Sequence, residues 1–348
     1  MTNQNNSYYK SFASVKQRWS LVKYKKQVVS YCKTIMFLPV AILGALGLSI
    51  ANSFAAPIID SYNNNEVSIS QSGNNAGGIN TDITQYNDYT VTTWHNLSTA
   101  INDNVDINQV LGNDATIVLK DISGSATQYY GSLSANGNVF MINNAGITFG
   151  ASAQVNVGSL TATTADNVIN NGNGTFEFNN NGQASIINEG NIIASNGGFV
   201  VLAAPHVENN GFIQANLGQI EIASTTKFTL DLRGDNLITY EVNKEDLENL
   251  GVSNTGTLQA QSGIINISAN TASDIVENVV NLDGVIDVNS FGSGYDGGEV
   301  TVTSIDNIKL NEVTISANGG IDGDGGSIIT KADNLNTISS WVIRHSNR

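Results

Sequence analysis

Gly131 to Thr164 read GSLSANGNVFMINNAGITFGASAQVNVGSLTATT. The apolar residues of this stretch come in short alternating pairs, Phe140/Ile142, Ile147/Phe149 and Val155/Val157, separated by Asn, Gly, Ala and Ser. Alternation over a few residues, ended by Gly or Asn, describes short strands with one buried face and tight turns between them. Glycine in every window excludes a helix of ordinary length.

Working outward, the chain repeats this pattern loosely. Short segments opening at Gly190 (GNIIA), Gly211 (GFIQA) and Gly256 (GTLQA) are each followed by an alternating strand, FVVLA at Phe199, QIEIA at Gln219 and IINIS at Ile264. Gly190 and Gly211 are 21 residues apart. Gly146 and Gly190 are 44 apart, close to two such steps, and Gly211 and Gly256 are 45 apart with Thr225–Leu250 between them. Ile286 and Ile315 are 29 apart, with glycine-rich loops at 292–298 and 319–326 lengthening the unit. Steps of this size, carrying short strands and no helix, predict a parallel β-helix. Each coil lays its strands on the coil below, and inward Ile, Val, Leu and Phe stack into one core. Asn at the turns can bond amide to amide between coils. That explains the abundance of Asn more simply than glycosylation does, although Asn96-Leu97-Ser98, Asn173-Gly174-Thr175 and Asn266-Ile267-Ser268 are formal acceptor sites.

The 131–164 stretch also resembles the secretion-domain core of filamentous haemagglutinin-like exoproteins, the large secreted partners of two-partner secretion systems. In that family the run has a Gly-Ser-Leu start, an NPNGI turn and then FGxxAxVNVGGLxAST. Here the turn is Asn143-Asn144-Ala145-Gly146-Ile147, with Asn144 and Ala145 in place of the proline and the second asparagine. The flanks GSLSANGNVF and FGASAQVNVGSLTATT keep the pattern. The resemblance implies a right-handed parallel β-helix with an N-terminal β cap and extra-helical β hairpins, and a turn at 143–147 that bears on export. It implies passage through the Sec translocon, then binding in the periplasm by a dedicated outer-membrane transporter, then folding outside a Gram-negative cell. The effector would be of adhesin or haemagglutinin type, directed at a host or bacterial surface. Ile147 is expected in the core beside Phe149, and Gly146 in a backbone conformation that a Cβ would strain.

Charge is unevenly placed. The 348 residues carry a formal net charge of −15, yet residues 1–55 hold seven Lys and Arg and no acid. The remainder sets eight basic residues against all 30 acidic ones. An acidic body argues against nucleic acid as a partner. The basic head, the apolar run Met36–Ile50 and the small residues of Ser53-Phe54-Ala55 read as a long signal peptide, cleaved by signal peptidase between Ala55 and Ala56. The apolar run is short for a spanning helix. The sole cysteine, Cys32, lies in the segment to be removed, which suits a chain that crosses a pore unfolded. The organisation expected is therefore a leader (1–55), a secretion domain of cap and first coils (56–250), and further coils (251–348). The ending SSWVIRHSNR, basic and unlike the coils before it, leans toward a truncated gene.

Residues 56–138, rich in Asn, Thr and Ser, are expected to cap the open first coil, with Trp94 in the cap core and His95 at its surface. Arg233-Gly234-Asp235 spells the integrin tripeptide but fits a structural position in the resembling family. Asp296 and the run Asp322-Gly323-Asp324-Gly325-Gly326 would suit calcium, but Asp-Gly is also an ordinary turn pair and the nonapeptide repeat of calcium β-rolls is absent. His95, His206 and His345 stand alone in sequence, and no nucleophile elbow, phosphate loop or ligand cluster is present. No catalytic residue, metal or cofactor is therefore assigned. The rival readings are a β-helix enzyme acting on polysaccharide, whose basic residues are too scattered here, and an autotransporter passenger, whose barrel of alternating strands is missing.

Overall fold

A computed structural model describes residues 56–179, 183–233, 238–241, 251–269, 280–304, 307–332, 334–337 and 342–344. The expected leader, residues 1–55, lies outside the described residues, and Ala56 is the first of them. All regular structure among the described residues is strand, gathered into three largely parallel faces of ten, eight and eleven strands and a separate sheet of four.

One coil shows how the chain winds. Asn138–Ile142 lies on the ten-stranded face, Ile147–Phe149 on the eight-stranded face and Gln154–Val157 on the eleven-stranded face. Ser159–Thr163 then returns to the first face and pairs in parallel with Asn138–Ile142. The coil is its own crossover, which is how parallel strands pair here without helices. Inward residues stack in register: Val139, Leu160, Val200, Ile220, Ile265 and Val300 on one face, Ile147, Ile186, Val207, Val252, Val280 and Ile308 on the next. All of these are buried. Ile286 and Ile315, the pair spaced 29 residues apart, are direct partners on the third face.

Glycine marks the corners because successive coils leave no room for a side chain there. A Cβ on Gly218 would lie 1.8 Å from the carbonyl oxygen of Gly198, and one on Gly211 would lie 2.2 Å from that of Gly190. Gly190, Gly211, Gly256 and Gly284 form one such column. Gly190 stacks on Gly150 rather than on Gly146. The interval before Gly190 is thus one coil with an inserted hairpin, Asn167–Gly172 and Thr175–Asn179, and not two coils. The interval to Gly256 likewise contains one coil and an excursion, Lys227–Asp231 and Ile238–Glu241.

These two excursions pair with each other in an antiparallel sheet outside the helix, as the expected hairpins. They correct the expectation of one buried face. Asn138–Ile142 is buried throughout: Val139 and Met141 enter the helix core, while Phe140 and Ile142 face outward into a second cluster with Phe176, Phe178, Phe228 and Leu230. The Phe140 ring meets Phe176 edge-on at 5.0 Å, and Phe178 stacks on Phe228 at 4.5 Å. A strand covered on both sides is apolar on both.

The cap is also shorter than expected. Val67–Gly73 pairs antiparallel with Ile79–Gln85, and Ile58–Ser61 antiparallel with Tyr89–Asn96. Parallel coiling already begins at Ile79–Gln85 against Asn104–Gln109. Thr- and Asn-rich strands can coil when their inward positions are satisfied, as Thr92 is by the carbonyl of Val118 at 2.9 Å. Trp94 is fully buried in this first part, its indole N–H donating to Thr92 Oγ1. At the other end Val342–Arg344 pairs in parallel with Thr314–Ser316, so part of the basic ending continues the coil.

Candidate functional site

The five residues singled out by sequence form one turn. The Gly146 N–H donates to the Asn143 carbonyl at 3.0 Å, and the Ala145 N–H donates to Asn143 Oδ1 at 2.8 Å, an Asx turn inside the four-residue turn. Gly146 has φ +116°, and a Cβ there would lie 3.2 Å from the Ser185 carbonyl and 3.4 Å from Ala126 Cβ. Ile147 is buried between Thr127 and Ile186 of the flanking coils, and Phe149 is buried against Tyr129. Asn144 is exposed, and its amide donates to Asp166 Oδ1 at 3.1 Å. It occupies the second turn position, where proline is most at home.

Asn143 itself is buried, and its amide reaches into the preceding coil. It donates to the Ser125 carbonyl at 2.9 Å and to Thr127 Oγ1 at 2.8 Å. The Thr127 hydroxyl then donates to Asp121 Oδ2 at 2.7 Å. That same oxygen accepts from the Leu97 N–H at 3.0 Å, and Oδ1 accepts from the Ser123 N–H at 2.8 Å. A buried carboxylate is tolerable only with such partners. The turn is therefore tied through Thr127 and Asp121 to the segment that follows Trp94.

Sequence reading missed Asp121 and Thr127, although a cue was present. Asp121 shares the parity of Ile117 and Leu119 in its strand, both of which face inward, so period-two alternation puts this acid inside. Asp103, also buried, accepts from the N–H groups of Ile79 and Ala100. Burial first, then the negative charges of Asp103 and Asp106, hold the Tyr129 phenol well above its ordinary range, and its hydroxyl donates to the Ser132 carbonyl. The expected asparagine ladder is present in three rungs: Asn188 donates to Asn209, and Asn209 to Asn254, each at 2.7 Å.

The remaining candidates do not converge. His95 is exposed, 2.7 Å from Asp60, and joins the first strand to the Trp94 strand. His206 lies partly buried in a strand, and His345 falls outside the described residues. Arg233 is exposed, while Gly234 and Asp235 lie outside the described residues. The Asp324 N–H donates to Asp296 Oδ1, so this pair serves the stacking of two loops. Among the described residues no three potential metal ligands come together. Thr127, Asn143 and Asp121 are too enclosed for a substrate to reach; the arrangement holds a shape.

Residues 56–310 match the TPS secretion domain family. A curated relative, the heme/hemopexin-binding protein of Haemophilus influenzae, is 30% identical over 176 residues, which are 48% of this chain and 19% of that protein. The chain thus spans about a fifth of the relative it matches. Among solved structures, the HMW1 secretion domain from Haemophilus influenzae superposes with a TM-score of 0.61 at 23% identity, covering 83% of this chain and 84% of that one. The filamentous hemagglutinin secretion domain gives 0.54 at 14% identity, covering 83% and 99%. Both show the fold, a β-helix.

Proposed function

The chain belongs to the TPS secretion domain family, and from that premise we propose that its first coils are the export signal of a two-partner exoprotein. Sec delivers the chain, signal peptidase cuts between Ala55 and Ala56, and a cognate outer-membrane transporter binds the secretion domain in the periplasm. In support, the family match starts at residue 56, where the leader reading ends. We assign recognition to 56–250 and extension of the helix to 251–348. The exported protein is secreted or held at the surface of a Gram-negative cell. It acts without catalysis of its own, as an adhesin- or haemagglutinin-type binder of a host or bacterial surface.

The observation that carries this reading is the Asn143–Ile147 turn, which joins three coils and is fastened to the first of them by Asn143, Thr127 and Asp121. A chain emerging unfolded needs a nucleus on which later coils can add. Each added coil then buries apolar surface at about 25 cal/mol per Å2, which opposes backsliding.

The test is the ratio of supernatant to periplasmic protein in cells expressing the cognate transporter. Gly146→Val sets a β-branched residue at φ +116° and stalls export. Ile147→Asp stalls it more strongly by placing a charge in the core. Asn144→Pro exports normally, since the side chain is exposed and the position suits proline. Normal secretion of both Gly146→Val and Ile147→Asp would show that the turn does not serve export.

A further inference from the structure

A cleft of about 500 Å3 opens where the outer hairpin leans over the corners of the coils. That volume falls within the roughly 300–1,000 Å3 of small-ligand sites. One wall is the hairpin tip around Asn173, which has φ +55°. The Leu232 N–H fixes this wall by donating to the Gly174 carbonyl at 3.0 Å, and the Arg233 side chain lies against Gly174. The floor is aromatic: Tyr89 is half-buried and stacks on Phe176 with centroids 5.7 Å apart and planes 28° apart. Around it stand the exposed side chains of Asp88, Asp114, Asn173 and Asn196.

This lining selects a ligand class. A lipid or a large apolar cofactor needs walls that are apolar throughout, and here Tyr89, Phe176, Phe199 and Leu232 share the lining with amides and carboxylates. A phosphate or sulfate needs convergent cations, and here one guanidinium shares the lining with two carboxylates. A neutral ring bearing hydroxyls fits both features: its C–H face packs on an aromatic ring, and its hydroxyls pair with groups that accept, or both accept and donate. The Tyr89 phenol, raised by burial, stays protonated and can donate as well. We propose that this cleft binds a short neutral oligosaccharide, with Tyr89 as the platform and Asp88, Asp114, Asn173 and Asn196 as hydroxyl partners.

The purified chain would be titrated with cellotriose, maltotriose and chitotriose, and with trigalacturonate as the acidic comparison, by saturation-transfer NMR and calorimetry. At least one neutral probe binds at millimolar concentration or below, and trigalacturonate does not. Tyr89→Leu weakens that binding about tenfold, the scale of a lost stacking contact. Asn196→Ala weakens it several-fold, while Ile321→Ala, in the exposed 319–326 loop, changes nothing. Should Tyr89→Leu disturb the fold, the exposed Asn196 carries the test. Silence from all three neutral probes, binding of trigalacturonate alone, or binding indifferent to Asn196→Ala would overturn the proposal. No transporter takes part, so the result stands apart from the export assay.

Discussion

Between Gln85 and Phe149 the coils are joined by buried polar groups placed one by one: Asp103, Asp121, Thr127 and Asn143, with Gln85 and Gln109 bonded across a coil at 3.0 Å. From Asn188 onward they are joined mainly by columns in which one residue type recurs, asparagine at one position and glycine at two corners, one of these a column that already begins at Gly137 and Gly158. The contrast follows from what each region has to stack upon. A late coil finds a finished coil beneath it, and a repeated small or amide residue copies its register. The early coils have such a template only at the Gly137 corner. Their register is specified by individual acceptors and donors that fit one alignment only, since a one-residue slip would turn every inward side chain outward.

The comparison can be broken most forcefully at the glycine columns. Gly218→Ala sets a methyl against the Gly198 carbonyl, and backbone has to move. It should destabilise the chain by about 2–3 kcal/mol, the upper part of the cost of overpacked interiors, because the methyl meets backbone. Gly73→Ala, in a strand where a Cβ meets nothing within 4 Å, should leave the denaturation midpoint nearly unchanged. Equal midpoints for the two variants would remove the steric account of the repeat.

In the early region the sharpest probe is Asp121→Asn. The carboxylate accepts from Thr127, Leu97 and Ser123. An amide brings one oxygen and an N–H pair that faces donors, so the variant should lose about 2 kcal/mol, the scale of a buried polar group left unpaired. Hydrogen exchange of the Leu97 and Ser123 amides should accelerate before that of Ile220 or Ile265. Uniform acceleration along the whole helix would deny the network a local role.

The same division explains what the sequence discloses. Columns are legible because they recur: Gly190, Gly211 and Gly256 mark a true corner, and the turn at 143–147 is found where its motif falls. Phe140 and Ile142 mislead because alternation says that residues two apart share a face, and not which face lies inside. Their cover comes from hairpins far along the chain, Thr175–Asn179 and Lys227–Asp231, whose pairing no local pattern reports. Asp121 is missed because an acid reads as surface until its parity with Ile117 and Leu119 is taken seriously. Gly146 misleads as a repeat mark because it closes the turn that Asn143 opens, while the corner glycine of that coil is Gly150.

The smallest expected effect concerns the ladder, whose rungs should be unequal. Asn209 sits between two others: its Oδ1 accepts from Asn188 and its amide donates to Asn254. Asn209→Leu therefore strands the buried acceptor of Asn254 and leaves the buried Asn188 amide with only a long contact to the Gly190 carbonyl. Asn254 is the last rung, because its partner in the next coil is Leu282, itself fully buried. Asn254→Leu strands only the amide of Asn209, which keeps a long contact to the Gly211 carbonyl, and gains an apolar neighbour in Leu282. The middle replacement should cost about 2 kcal/mol and the terminal one about 1 kcal/mol or less, because the penalty lies in unpaired buried groups rather than in bonds removed. The two residues share a bond, so the double variant should cost less than the sum of the single variants. Denaturant midpoints of the three variants at unchanged slope decide the matter. Equal costs for the single variants, or strict additivity in the double, would mean that the asparagines act as separate side chains and that the downstream coils are no more a repeated column than the upstream ones.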